Sequence, residues 1–456
     1  MHVFWHQRDL RLRDNRGLAA AAADETVVPV FVIDPEVRNV VGNRQWAFWL
    51  AGVRALEAQY RERGSDLLVR VGDPGTVIPA VASEYDADRV YYNEHYRPVR
   101  RERQRAVDDA IETTAVTDLT LVDPAGLDAR YENHSRFYDD WQAREKPAPV
   151  PMPDAGSLAA VSDGQAVPDP DADIDLPAAG YGAARDRWER FLADGIDSYS
   201  DTRDDMRAAV ERSVGAVSRI SPYLAAGMIG IRELWADATE RYRAVDGDAR
   251  RNVEKYRYEL SWREQNYNLL AHHPSLPSEN YESFPNAIAW ENDPDHLAAW
   301  KRGETGYPLI DAGMRQLNEE GYVHNRPRQN VASFLTKHLL VDWREGLAYF
   351  EAQLLDHDPA NNAANWQWTA STGTDSVDVR IFDPVAQMAK YDDEADYVTE
   401  YVPELRGVDP ETIVDWPTLP GDERAALAPE YPDPIVDRNR AYERAQRVFE
   451  TALGKR

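Results

Sequence analysis

Between Trp300 and Asp383 apolar positions at helical spacing are interleaved with a density of Trp, Arg, Asp and Asn that the rest of the chain does not reach. Leu309, Ile310, Met314 and Leu317 step by three or four, as do Val331, Phe334, Leu335 and Leu339, so two helices bury one face each. Pro327 suits the first turn of the second helix, where it needs no amide partner and its φ is already helical. Asn325, Arg326 and Arg328 then stand at a helix mouth that attracts anions. A third helix follows Trp343 and ends in Asp356-His357-Asp358-Pro359, and the run Asn361-Asn362-Ala363-Ala364-Asn365-Trp366-Gln367-Trp368 comes next. Acids, amides and indoles so close to buried faces are costly unless partnered, so the stretch implies a built site.

Several elements here occur in an order and spacing that single short motifs do not reach by chance. They are Gly306-Tyr-Pro-Leu-Ile-Asp-Ala312, His324-Asn-Arg326, Ala332-Ser-Phe-Leu335, Asp342-Trp-Arg-Glu-Gly346, Trp366-Gln-Trp368 and Ser371-Thr-Gly-Thr-Asp375. The stretch resembles the flavin-binding core of the DNA photolyase/cryptochrome family. The likeness extends over nearly the whole chain, down to Tyr431-Pro-Asp-Pro-Ile-Val-Asp437.

At 456 residues the chain should hold two or three domains. Lys and Arg number 52 against 80 Asp and Glu, a net charge of -28 spread along the chain. That balance fits a protein soluble at high salt, where carboxylates hold water and self-repulsion opposes aggregation. High salt also weakens phosphate contacts steeply, so a nucleic-acid reader in brine must rely on stacking and buried contacts. The absence of cysteine excludes disulfides, iron–sulfur clusters and a thiol nucleophile. His272 and His273 form no metal motif, and no metal is expected. No apolar run approaches a membrane span and no signal peptide is read, so a cytoplasmic protein is predicted.

Residues 1–125 alternate apolar strands with amphipathic helices: strands at His2, Val27, Leu67, Arg89 and Asp118, with the longest helix running from Arg44 to Arg63. The pattern predicts a doubly wound, Rossmann-like parallel sheet covered on both faces. It lacks GxGxxG after the first strand, which argues against a dinucleotide bound in the usual manner. Trp5-His-Gln-Arg-Asp-Leu-Arg-Leu-Arg-Asp-Asn15 resembles the start of the photolyase antenna domain. The resemblance implies a second chromophore, 8-hydroxy-5-deazaflavin or methenyltetrahydrofolate, with Asn93 and Glu94 either contacting it or serving as ordinary strand-end residues. The run Arg97 to Arg105 reads as a solvated helical face. Residues 126–180, rich in Pro, Ala, Asp and Gly without periodicity, read as an extended linker with little core of its own. Within it, Tyr131 to Trp141 departs from the family's aromatic and Thr-Pro pattern. Residues 181–456 read as all-helical, ending in a helix from Pro434 to Leu453. The resemblance makes this the FAD-binding and DNA-binding domain.

Ser218-Arg-Ile-Ser221 precedes Pro222 at a helix start. Ser221 is there either an N-cap or, with its neighbours' amides, a phosphate ligand. The resemblance implies that Tyr199, Ser218, Arg219, Ile220 and Ser221 hold the flavin's phosphates and ribityl chain, with Val217 departing from a hydroxyl residue. It places Arg328 and Asp356 as an ion pair at the flavin edge, Asp358 on a ring N–H and Asn362 at N5. Trp290, Trp343 and Trp366 match the family's electron relay. Glu259 and Trp262 share a helical face, and the resemblance puts both in the lesion pocket with Trp368 and Asn325. Arg203, Arg263 and Arg326 would hold the DNA backbone, while Gln329 and Asp383 depart from the common pattern.

The implied activity is light-driven repair of cyclobutane pyrimidine dimers by electron transfer from reduced FAD, in a monomer acting on UV-damaged DNA. Two alternatives stand beside it: a cryptochrome-type photoreceptor, and a (6-4) photoproduct photolyase with His324 as acid.

Overall fold

The structure is a computed structural model describing residues 1–161, 164–374 and 379–455; Asp375 of the Ser371–Asp375 motif lies outside the described residues. The chain forms two compact units interleaved in sequence. The first takes Met1–Asp197, Ser218–Pro274 and Leu355–Ala360; the second takes Ser198–Val217, Ser275–Leu354 and Asn361–Arg456.

The first unit is built on a five-stranded parallel sheet of order β3-β2-β1-β4-β5. The strands are β1 His2–His6, β2 Val27–Ile33, β3 Leu68–Val71, β4 Arg89–Asn93 and β5 Thr113–Val116. All four neighbouring pairs run parallel. β2 is buried at every position, as its unbroken apolar run requires in a sheet covered on both faces. Val3, Trp5, Val28, Val30, Leu68, Ile78 and Val90 join the core. The expected doubly wound fold is therefore present, as is the long helix, over Asn43–Glu62.

The fifth strand corrects the sequence expectation. The apolar run from Asp118 is buried but does not join the sheet. The Leu121 and Val122 amides donate instead to the Glu264 carboxylate at 2.7 and 3.3 Å. The β-branched Thr113–Val116 pairs with β4 in its place. The linker also differs from its expectation. Ala159 donates to the Val27 carbonyl at 2.8 Å and Gln165 to that of Val69 at 2.9 Å, with Leu158, Ala159 and Val167 buried. Arg44 clasps Asp173 from the long helix at 2.7 Å. Each linker residue answers to a different neighbour, which leaves the segment without periodicity although it adds to the core.

The remaining helices of the first unit include Tyr181–Asp194, Ile231–Ala244 and the 26-residue Gly247–His272. The second unit is helical. Pro308–Glu320 buries Leu309, Ile310, Met314 and Leu317 as predicted. Asn325–Ser333 follows, with Pro327 in its first turn, and passes into a π-helical turn, Phe334–His338. The next helix spans Trp343–Gln353 and stops short of Asp356. The last spans Arg438–Ala452, later than predicted, because Asp437 caps it by accepting from the Arg440 amide at 2.9 Å. No helix among the described residues is long and apolar enough to cross a membrane.

Candidate functional site

In the first unit, the short segment Leu355–Ala360 brings two acids into buried surroundings. Asp358 accepts from Arg8 Nη2 at 3.1 Å and from the Tyr267 hydroxyl. Arg8 is 4% exposed; burial pulls its guanidinium down, but Tyr267 and Asp358 beside it raise it on balance. Asp356 accepts from Ser221 Oγ at 2.7 Å. That bond corrects the N-cap reading of Ser221. The helix Ser221–Ala225 starts at Ser221 itself, its cap position is Ile220 and no side chain caps it. Arg219, just before, is left-handed (φ 47°), which reverses the chain between the two serines. Ser218 is buried, and its hydroxyl accepts from Tyr256 at 3.4 Å. Arg8 and Tyr267 escaped the sequence reading; a buried arginine requires an acid, but the acid lies 350 positions away.

The Gly247–His272 helix carries Glu259, Trp262 and Arg263. Glu259 pairs with Lys255 at 2.7 Å, one helical turn away. Trp262 is half-buried. Arg263 lies over the Tyr267 ring at 4.6 Å and donates to Glu264 at 3.1 Å.

In the second unit, Arg328 Nη1 donates to the Asn362 carbonyl at 3.4 Å, and Asn362 is buried. The contact fixes the amide's orientation and turns its NH2 group away from the cation. Tyr199 opens the Tyr199–Thr202 helix, and Arg203 lies over its ring at 5.6 Å. Asn325 heads its helix while Arg326 reaches Asp204 at 2.7 Å and Gln329 at 3.0 Å, lying over Tyr391 at 4.2 Å. Arg380 stacks over Trp368 at 4.4 Å. Asp383 caps the Pro384–Tyr391 helix and pairs with Arg438, so this departure has a structural task.

The three candidate relay tryptophans all belong to this unit. Trp343 is fully buried and donates to Asn280 at 2.9 Å. Trp366 packs edge-on against Phe350 at 5.0 Å, and a Cβ at Gly346 would lie 2.2 Å from its ring, so only glycine admits this approach. Trp290 lies edge-on to Phe449 at 5.8 Å.

In the first unit a small cleft lies beyond the carboxyl ends of β1 and β2, beside the β1/β4 point where the strand order reverses. Trp5, Phe31, Trp46, Trp49 and Arg100 are among its lining. Arg100 belongs to the Pro98–Asp108 helix, whose Glu102 and Arg105 face solvent as expected while Arg100, Gln104 and Val107 point inward. Its guanidinium lies over the Trp49 ring at 5.2 Å, and no carboxylate pairs with it among the described residues. Burial, aided by Arg97 and Arg8, pushes it down to about 9. Asn93, by contrast, is interior: it donates to Asp9 at 2.6 Å and Asn15 at 2.8 Å and accepts from the Gly17 amide at 2.9 Å.

The family model described as DNA photolyase matches residues 2–154, and that described as the FAD binding domain of DNA photolyase matches residues 256–451. The deoxyribodipyrimidine photo-lyase of Halobacterium salinarum is 42% identical, with 100% of each chain covered. Among solved structures, a bacterial class III photolyase from Agrobacterium tumefaciens superposes with a TM-score of 0.88 at 32% identity, covering 100% of this chain and 98% of that one. An archaeal photolyase from Sulfolobus tokodaii, described as having two FAD molecules and an implied novel light-harvesting cofactor, gives 0.84 at 30% identity with 99% of each chain covered. The chain belongs to the DNA photolyase/cryptochrome family.

Proposed function

We propose that this protein is a deoxyribodipyrimidine photo-lyase that repairs cyclobutane pyrimidine dimers in UV-damaged DNA, acting as a cytoplasmic monomer. The full-length likeness to enzymes of that name supports this, and the geometry of Asn362 carries it furthest. With its carbonyl on Arg328, the amide presents a donor that holds no labile proton, which suits the N5 edge of an anionic, fully reduced flavin.

The residues fit FAD by the chemistry of the donor set. Phosphates ask for hydroxyls and amides, and the flavin ring edge asks for acceptors and a donor. Ser218, Arg219, Ile220, Ser221 and Tyr199 would hold the phosphates and ribityl chain; Arg328, Asp356, Asp358 and Asn362 would hold the ring. Reduced FAD, when bound, supplies light-driven one-electron chemistry at the cyclobutane ring, with the electron recovered after the ring opens. The protein's part is to orient the reacting groups and set the local field. Arg8 and Tyr267 hold the Asp358 carboxylate in place, and Ser221 does the same for Asp356. Trp290, Trp343 and Trp366 would pass electrons inward.

An extruded dimer would pack on Trp262 and Trp368, with Glu259, Asn325 and Gln329 at its base edges. Arg203, Arg263 and Arg326 would reach the phosphates, exchanging their present carboxylate partners for them. In function the chain divides as antenna domain 1–125, linker 126–180 and catalytic domain 181–456. The antenna chromophore would occupy the Arg100 cleft, whose present room of about 20 Å³ would have to widen, rather than contact the interior Asn93. An anionic ring system there would restore a partner to the guanidinium and stack among the tryptophans.

The test is loss of thymine dimer from an oligonucleotide, by reduced protein at high salt, in blue light and in the dark. Light-dependent loss is expected. A flavin that photoreduces without any repair would refute the enzyme and favour a photoreceptor.

A further inference from the structure

His134 opens the His134–Ala143 helix, inside the segment that departs from the family's aromatic and Thr-Pro pattern. It is 2% exposed, and its imidazole lies flat on the Trp262 indole, centroids 3.6 Å apart and planes within 8°. Neutral aromatic rings avoid such face-to-face superposition in favour of offset or edge contacts. A cation over an indole face is, by contrast, the favoured arrangement.

The ring nitrogens point the same way. Nδ1 faces Gln265 Oε1 at 2.5 Å and Nε2 faces Ser261 Oγ at 3.0 Å. The serine hydroxyl already donates to the Tyr258 carbonyl at 2.7 Å. With the Gln265 carbonyl turned to Nδ1 and the Ser261 hydroxyl already donating elsewhere, both partners act as acceptors, an arrangement that favours hydrogen on both nitrogens. The titratable and charged groups around the ring are few. Tyr138 lies on its own helix, 6.2 Å away, and Tyr258 stands edge-on at 4.9 Å. On the Gly247–His272 helix, Lys255 and Glu259 pair with each other, as do Arg263 and Glu264.

We propose that His134 is a positioning residue: held as an imidazolium, it fixes the Trp262 ring from behind and gives the indole's opposite, lesion-facing side a positive field. This rests on the reading of Trp262 as a lesion contact. The imidazolium favours an electron-rich ligand on that face and ties lesion affinity to the protonation of one histidine.

The test combines 15N-histidine NMR of the holoprotein with affinity for a thymine-dimer oligonucleotide at constant salt from pH 6 to 9. Wild type should show His134 protonated at both nitrogens at pH 6, a signature absent from His134→Phe. Its affinity should fall roughly three- to tenfold as that signature titrates away. His134→Phe keeps an aromatic ring under Trp262, so flavin content should persist while the pH slope disappears. His134→Ala removes the stack and should weaken binding roughly tenfold at every pH. A neutral His134 at pH 6, or an unchanged pH slope in His134→Phe, overturns the proposal. Undiminished affinity in Trp262→Phe would remove the pocket reading itself and His134's positioning role with it. That failure is distinguishable, because the NMR signature would survive.

Discussion

Two buried clusters, one in each unit, treat ionisable groups in opposite ways. In the first, Arg232 donates to Asp14 at 2.7 Å and to Asp118 at 2.5 Å, while Arg11 donates to Asp118 at 2.5 Å and to the Asp14 carbonyl at 2.7 Å. These four side chains are essentially inaccessible; against burial the arginines hold Asp118 below its usual range, whereas burial outweighs Arg232 and Arg11 at Asp14 and pushes it up. In the second, the π-helical turn Phe334–His338 buries Lys337 and His338 with no carboxylate paired to either among the described residues. Lys337 donates to the Ala370 carbonyl and to Ser371 Oγ, both at 2.9 Å, and lies over the Phe449 ring at 3.3 Å. His338 stacks on Phe334 at 5.1 Å. Burial pushes Lys337 well down and His338 down to about 4. Carboxylate pairing preserves the charge of the two arginines in the first cluster; Lys337 and His338, without it, give theirs up.

The largest break in this contrast should come from Arg232→Ala, which leaves two carboxylates facing one arginine. Urea denaturation is expected to show a loss of about 3–5 kcal/mol; a loss below about 1 kcal/mol would mean the network is not what holds Asp14 and Asp118. The second effect is acid sensitivity from His338. Its folded value, about 4, lies below the ordinary 6.5. The unfolded chain therefore binds the proton first, and stability falls as pH drops from about 6.5 towards 4, by about 1.4 kcal/mol per unit. His338→Phe should remove that slope, and denaturation across the window checks it.

A smaller change is expected for Lys337→Met, under about 1.5 kcal/mol, because lost hydrogen bonds are offset by relief of a desolvated amine. Wild type should gain on this variant as pH rises towards the unfolded lysine value of about 10.4, since there the unfolded state no longer binds the extra proton. The smallest effect on stability, within about 0.5 kcal/mol, belongs to Arg100→Met. That substitution should instead lower the amount of antenna chromophore retained after reconstitution, read from the absorbance spectrum. Retention at the wild-type level would place the chromophore elsewhere.

Much of the fold could be read in advance wherever a residue's surroundings repeat at a fixed period. β1, β2 and β4 and the Asn43–Glu62 helix lie where apolar runs and helical stepping put them. Reading failed where one long-range partner outweighed the local pattern. Glu264 draws the Leu121 and Val122 amides away from the sheet, and Asp356 takes the hydroxyl that would have capped a helix. The candidate site divides in the same way. The family resemblance singles out Asn362, Glu259, Trp262 and the aspartates, while Arg8, Tyr267 and His134 are placed by partners that no window of sequence contains.

By itself, then, the sequence determined the class of each layer, the family and the residue types available for flavin and lesion, because periodicity, motif order and composition are properties of neighbouring positions. Tertiary structure decided which buried charge survives, which serine turns to an acid and which ring backs Trp262. Those outcomes depend on desolvation and on partners within a few ångströms, and the folded chain brings them there from positions more than a hundred residues away.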